Sequence, residues 1–79
     1  MIPQYLSTEF KQHLEEVEVA GKPVEIKFRA DNGGFITIKG RIRELSISDN
    51  NGYLRTDNGA RIQLDKLVEV DGMPVSYLA

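Results

Sequence analysis

The stretch VEIKFRADNGGFITIK, residues 24–39, decides how this chain folds, because apolar and polar residues alternate on both sides of a turn. Such alternation indicates two strands that each bury one face. The inward residues of both strands have even numbers. They therefore pair with one another across the hairpin only in a register in which the two residue numbers of every cross-strand pair add up to an even number. A three-residue loop at 31–33, with Gly33 in the left-handed conformation, meets this condition. The stretch therefore predicts a hairpin in which Phe28 faces Ile36.

The second strand of this hairpin continues well beyond residue 39, and its pattern changes along the way. The inward residues are even-numbered up to Ile42 and odd-numbered from Leu45. An extra residue in the strand produces such a change, so we expect a β-bulge or sharp bend near Arg43 and Glu44. Gly40 offers a further place for the strand to bend.

A second hairpin repeats the design of the first. After a cluster of turn-forming residues at 48–52, residues 53–64 alternate around another Asp-Asn-Gly loop at 57–59. The same parity argument selects the same three-residue loop. A tight turn at 65–67 and a short closing strand at 68–70 complete the predicted strands.

A helix is expected upstream of the strands, at residues 8–20. Ser7 or Thr8 can cap its first turn with a side-chain oxygen, and Gly21 followed by Pro23 ends it. One apolar stripe at helical spacing runs along this segment and consists of Phe10, Leu14 and Val17.

Together these elements predict a mostly β single domain, residues 1–79, with one N-terminal helix and five short antiparallel strands. Residues 1–6 form an extended lead-in, residues 24–70 the strands, and residues 73–79 a tail. We expect a small closed five-stranded barrel of SH3-like or Sm-like type, with the helix covering one open end. An OB-fold is the main alternative, but it places a helix where the second Asp-Asn-Gly loop leaves no room.

Composition excludes several classes of function. With 10 basic and 12 acidic residues among 79, the net charge of −2 is unlike that of a general nucleic-acid coating protein. The chain has no cysteine and one histidine, His13, which argues against a disulfide scaffold, a metal centre or a catalytic triad. We therefore expect no enzymatic activity and no cofactor. No apolar run is long enough for a membrane span, and a cytoplasmic location is the expectation.

Two groups of outward residues combine positive charge with an aromatic ring. The first basic patch lies on the first hairpin and consists of Lys27, Arg29, Phe35 and Lys39. The second basic patch lies on the second hairpin and consists of Tyr53, Arg55 and Arg61. Charge for the backbone and rings for stacking are what single-stranded nucleic acid requires. The competing interpretation is a solvated strand face whose charges prevent edge-to-edge aggregation.

The second basic patch contains a repulsive pair, because the predicted register places Arg55 directly opposite Arg61. Such a pair is favourable beside an anionic partner. The alternative is that Asp57 or Glu69 neutralises it.

The outer face of the helix is acidic. We define the acidic helix face as Glu9, Glu15 and Glu16, to which Glu18 adds a fourth carboxylate. Such a face can dock on a basic surface, where charge complementarity sets orientation and association rate. An ordinary solvated helix exterior is the alternative interpretation.

Several motifs occur in a distinctive order along the chain. A Pro-containing N-terminus and an acidic helix precede VEIKF at 24–28, GRI at 40–42, YLRTDNG at 53–59 and RIQLDKLV at 61–68. In this order the sequence resembles the Rof-like family of Rho-binding antiterminators, which have an Sm-like barrel. The resemblance covers most of residues 3–70. A Cys common near the start of the family helix is absent, and Ser7 or Thr8 stands nearby.

The resemblance implies a function as well as a fold. Rof-like proteins bind the transcription termination factor Rho near its RNA-binding surface, partly through acidic residues, and lower termination. Glu9, Glu15 and Glu16 are the positions here that could play this role. We therefore expect a binding module with a basic protein partner, and no membrane partner. The alternatives are single-stranded RNA binding on the two basic patches and self-association through an exposed edge strand.

Overall fold

The computed structural model describes residues 6–47 and 52–77. The lead-in at 1–5, the greater part of the turn cluster (48–51) and the last two residues lie outside the described residues. The elements follow the order α1 (Thr8–Ala20), β1 (Val24–Arg29), β2 (Phe35–Gly40), β3 (Ile42–Ser46), β4 (Tyr53–Thr56), β5 (Arg61–Gln63), a 3-10 turn (Leu64–Lys66), β6 (Leu67–Val70) and β7 (Met73–Pro74).

The helix α1 has the bounds that the sequence predicts. The Ser7 side chain accepts a hydrogen bond from the Phe10 amide at 3.2 Å, and Gly21 ends the helix with a left-handed φ of 65°. The apolar stripe, led by Phe10 at 0% exposure, lies in the core and packs near β3. His13 lies half-buried beside this stripe, and its Nε2–H donates to the Val70 carbonyl at 2.8 Å. The helix is thereby held against the strands on one face, and its opposite face remains exposed.

Both hairpins have the predicted register and loop. Phe28 pairs with Ile36 across β1 and β2, and Leu54 pairs with Ile62 across β4 and β5. Residues 31–33 and 57–59 form the two loops, and their glycines have φ values of 87° and 89°. The parity argument is therefore confirmed in both hairpins.

The strands form two antiparallel sheets, which corrects the expectation of one closed five-stranded barrel. The four-stranded sheet has the order β2-β1-β6-β7, and the three-stranded sheet has the order β3-β4-β5. The predicted long second strand is interrupted at Arg41, between β2 and β3, and a bulge shifts the register between Ile42 and Glu44. Within the described ranges no ladder joins β5 to β6, because the 3-10 turn redirects the chain between them.

Residues 73–77, expected to be a tail, contribute to the sheet structure. β7 pairs with β6, and the Val75 amide donates to the Val68 carbonyl at 2.9 Å. Tyr77 forms an isolated antiparallel bridge with Leu6, just before the helix. The hydroxyls of Ser7 and Ser76 are also 2.5 Å apart. The two ends of the described chain are therefore tied together beside the N-terminus of α1.

One core is shared by the helix and both sheets. Its buried apolar residues come from every layer: Leu6, Phe10, Leu14, Val17, Val24, Ile26, Ile42, Leu54, Ile62, Leu64, Leu67 and Val70. Full burial of side chains of this size contributes about 1.5–3 kcal/mol each before the entropy of ordering is subtracted. Gly52 closes one side of this core, since a Cβ there would lie 2.5 Å from Leu64 Cδ1.

Candidate functional site

The acidic helix face lies opposite the buried stripe of α1. Glu9, Glu15 and Glu16 are all exposed. Within the described residues, none of them forms an ion pair. Because α1 is capped at both ends and packed on the core, these carboxylates project from a fixed scaffold. The structure therefore places the three predicted residues on the exposed side of α1.

An apolar residue that the sequence analysis did not consider lies within this face. Val19 is 85% exposed, more than any other large apolar side chain in the described part of the chain. It lies three and four residues after Glu16 and Glu15, a spacing that makes side chains neighbours on a helix. Its signal in the sequence is a valine outside the apolar stripe, on the polar side of α1.

The first basic patch is assembled on the outer face of the four-stranded sheet. Arg29 is paired with Phe35 across the strands, and the Lys27 ammonium lies 5.1 Å from the centre of the Phe35 ring. Lys39 is paired with Glu25, at the far end of the same hairpin. Phe35 is 63% exposed, so its ring presents apolar area to solvent beside two cations.

The second basic patch is a small network on the three-stranded sheet. Arg55 faces Arg61 as predicted, and the Arg61 guanidinium lies 4.3 Å from the centre of the Tyr53 ring. Glu44, and neither Asp57 nor Glu69, is the carboxylate that partners Arg55, at 3.6 Å. This differs from the expectation because the bulge near Arg43 places Glu44 opposite Arg55.

The same carboxylate also binds the tyrosine of this patch. The Tyr53 hydroxyl donates to Glu44 Oε1 at 2.6 Å. This hydrogen bond raises the pKa of Tyr53 above its ordinary value, because losing the proton would also lose the bond to a carboxylate. Glu44 therefore engages Tyr53 and Arg55, whereas Arg61 has no ion-pair partner among the described residues.

A groove of about 570 Å³ separates the tip of the first hairpin from β5 and the 3-10 turn. Its apolar lining comes from Phe28, Ile36 and Ile62. Its polar lining includes one arginine of each basic patch, together with other residues of the loop and the turn: Arg29, Asp31, Arg61, Gln63 and Lys66. The two basic patches, separate in the sequence, therefore border one groove.

An ion pair joins the two sides of this groove. Lys66 Nζ donates to Asp31 Oδ1 at 2.5 Å, although 35 residues separate them. The hydrogen bond and the charge of Lys66 lower the pKa of Asp31, and Asp31 raises the pKa of Lys66 in return. The Asp31 side chain is 92% exposed and the Lys66 side chain 41% exposed, so solvent screens the pair, which orients the turn and the loop but contributes little stability.

Sequence reasoning missed four polar residues of these surfaces. The position of Glu44 could have been predicted from the expected bulge, because the bulge shifts the pairing of β3 with β4 and places Glu44 opposite Arg55. Gln63 is an exposed, uncharged position of β5, and nothing in the local pattern distinguishes it from an ordinary solvent-facing residue. Asp31 and Lys66 lie in turns whose contact depends on the tertiary arrangement, so no local signal identifies them.

Comparison of the chain with known protein families, with curated proteins and with solved structures finds no match. In the part of the chain that the structure describes, no helix has the length and hydrophobicity needed to cross a bilayer.

Proposed function

We propose that this protein is a non-enzymatic binding module whose acidic helix face docks on a basic surface of a partner protein. The observation that carries the proposal is that Glu9, Glu15 and Glu16 are exposed and form no ion pair within the described ranges, with the exposed Val19 beside Glu15 and Glu16. The resemblance to Rof-like proteins makes Rho the partner to test first.

The mechanism is competition between carboxylates and nucleic acid for one cationic surface. The carboxylates steer the encounter and set the orientation of the complex. Val19 supplies an apolar contact that loses water when the surfaces meet. The face needs no rearrangement, because the Ser7 cap and the bond from His13 to the Val70 carbonyl already hold the helix. A preformed face lowers the entropy lost on binding.

The fold proposed for this module is an opened SH3-like or Sm-like barrel. The strand order supports it, since β6-β1-β2 and β3-β4-β5 are joined through the single residue Arg41. The two sheets are then the two halves of one strongly bent sheet. The 3-10 turn at Leu64–Lys66 is the corner between β5 and β6.

Charge reversal tests the docking function. In a titration with purified Rho, the variant E15K/E16K is expected to lose at least about a hundredfold in affinity, because attraction becomes repulsion at two sites. The matched control is E25K/D65K, which changes net charge equally at exposed positions outside α1. The control is expected to bind within about threefold of wild type.

One result of this titration would overturn the docking proposal, and another would remove Rho as its partner. Equal losses in both variants would mean that net charge, and not the acidic helix face, governs binding. Absence of binding between wild type and Rho would remove Rho as the partner. A pull-down from a bacterial lysate, with and without nuclease, then shows whether any basic protein is captured through the same face, by comparing wild type with E15K/E16K.

Single-stranded RNA binding is the second candidate function. The observation that favours it is the groove, whose lining contains Arg29 from one sheet and Arg61 from the other. Each arginine also has an aromatic neighbour, Phe35 for Arg29 and Tyr53 for Arg61. The variant E15K/E16K separates the two functions. It abolishes capture of a basic protein in the first case, and it strengthens RNA binding in the second because it removes negative charge.

A further inference from the structure

We infer that the groove between the first hairpin and the 3-10 turn is a nucleotide site, which takes one unpaired base and its phosphate from a single strand. This inference rests on the second candidate function and adds the place and chemistry of contact. The site is distinct from the acidic helix face, because no residue of α1 lines the groove.

The size and apolar lining of the groove fit a base. Its volume of about 570 Å³ is within the range of small-ligand sites, roughly 300–1,000 Å³. Ile62 is buried at the base of the lining, whereas Phe28 is half-buried and Ile36 remains 43% exposed, so these two residues offer apolar area that the fold has not covered. A planar base placed against Phe28 and Ile36 would remove this area from water.

The charges of the groove fit a phosphate. Its three cations are Arg29, Arg61 and Lys66, and only Lys66 has an ion-pair partner among the described residues, Asp31. Guanidinium groups bind phosphate through two parallel hydrogen bonds. Two arginines without ion-pair partners that line one groove therefore favour a phosphate-bearing ligand over a neutral one.

The aromatic neighbours favour a nucleotide over an acidic peptide. Just outside the groove lining, Phe35 is the cross-strand partner of Arg29, and the Tyr53 ring lies under Arg61, so each groove arginine has an aromatic residue as a neighbour. Successive bases of a single strand stack on such rings, which an aliphatic acidic side chain does not do. Gln63 adds an amide that both donates and accepts hydrogen bonds, as the edge of a base requires.

The experiment is a titration of the full chain with the ribo-octamers (rU)8 and (rA)8, followed by amide chemical shifts and by affinity. Backbone amides of Ile36, Ile62 and Gln63 are expected to shift. Arg29→Gln and Arg61→Gln are each expected to weaken binding about tenfold, the cost of a lost charged hydrogen bond. The matched control Arg43→Gln removes the same charge at an exposed position outside the groove and is expected to change affinity less than twofold.

The outcomes separate the groove from the wider function. If the octamers bind but the groove amides do not shift, and Lys27→Gln/Lys39→Gln weakens binding more than Arg61→Gln, RNA binding stands and the nucleotide site is wrong. If neither octamer binds, both are wrong.

Two further comparisons test the class of ligand. AMP is expected to shift the groove amides more strongly than ribose 5-phosphate, because the base contributes. Equal shifts would reduce the groove to an anion site and overturn the inference.

An octamer of glutamate is expected to bind more weakly than either ribo-octamer. Binding of the glutamate octamer at the groove with equal affinity would make an acidic peptide the ligand and overturn the nucleotide site.

Discussion

The two hairpins share a loop sequence and a loop structure but have different surroundings. In each loop the asparagine side chain accepts from a backbone amide two residues later, from Gly34 at 2.9 Å and from Ala60 at 3.3 Å. The closing hydrogen bonds also correspond, Ala30 to Gly34 at 2.8 Å and Thr56 to Ala60 at 2.9 Å. Three local residues therefore determine the turn in both places.

The aspartates of these loops show the difference. Asp57 Oδ1 accepts from the Arg41 amide at 3.2 Å, so the second loop is tied to the junction between β2 and β3. Asp31 pairs instead with Lys66 across the groove. One loop is used to join the two sheets, and the other borders an open surface. An identical turn can therefore serve architecture in one hairpin and a candidate binding site in the other.

The largest expected effect concerns the cores of the two hairpins. Leu54 on β4 is fully buried, and Leu54→Ala is expected to lower the free energy of unfolding by about 2–5 kcal/mol through lost contacts and a cavity. Ile36 on β2 is 43% exposed, and Ile36→Ala is expected to lower the free energy of unfolding by about 1 kcal/mol. Urea unfolding measures both. Equal losses would show that the first hairpin is as deeply packed as the second.

Replacement of the loop glycines tests whether the turns are equivalent. Gly33 and Gly59 both have left-handed φ angles, so Gly33→Ala and Gly59→Ala are each expected to cost about 1–2 kcal/mol. Nothing lies within 4 Å of a Cβ at either position, so backbone strain alone sets the cost. Asparagine tolerates this conformation and serves as the control, with a smaller expected loss at both sites. Thermal unfolding gives the melting temperatures of the four variants. If the two alanine variants differ from each other by more than the two asparagine variants do, the two turns are not equivalent.

Removal of the two aspartates should separate the hairpins. Asp57→Ala takes away the acceptor for the Arg41 amide and is expected to cost about 1 kcal/mol, the net contribution of a hydrogen bond. Asp57→Asn keeps an acceptor oxygen and should retain stability close to wild type. Asp31→Ala is expected to leave the unfolding free energy unchanged within error, because its ion pair is exposed. Urea unfolding measures both variants. A larger loss of unfolding free energy for Asp31→Ala than for Asp57→Ala would contradict the proposal that the second loop joins the two sheets while the first only borders the groove.

The smallest effect is a titration of Asp31. Its pKa is expected below the ordinary value of 3.8 because Lys66 binds and attracts the charged carboxylate. A folded-state pKa that is lowered contributes stability above pH 3.8, and this contribution is lost as pH falls through the folded-state pKa. Carboxyl carbon shifts measured against pH should show the lowered value in wild type and its return towards 3.8 in Lys66→Met. A pKa that stays low without Lys66 would mean that another group holds the carboxylate.

The sequence by itself determined the local elements of this protein. Helix bounds follow from a cap, an apolar stripe and a left-handed glycine, and both hairpin registers follow from side-chain alternation and loop length. These features depend on residues close together in the chain, so they can be predicted from the amino-acid sequence alone. The same reasoning placed the acidic helix face on one side of α1.

The tertiary structure decided how these elements combine. The division into two sheets depends on the break at Arg41 and on the turn after β5, whose effect is a direction in space. The partnership of Glu44 with Arg55 depends on a bulge, and the pair of Asp31 with Lys66 joins residues 35 apart. Alternation and spacing carry no information about distances between remote segments. Those distances arise when one shared core forces the helix and both sheets together.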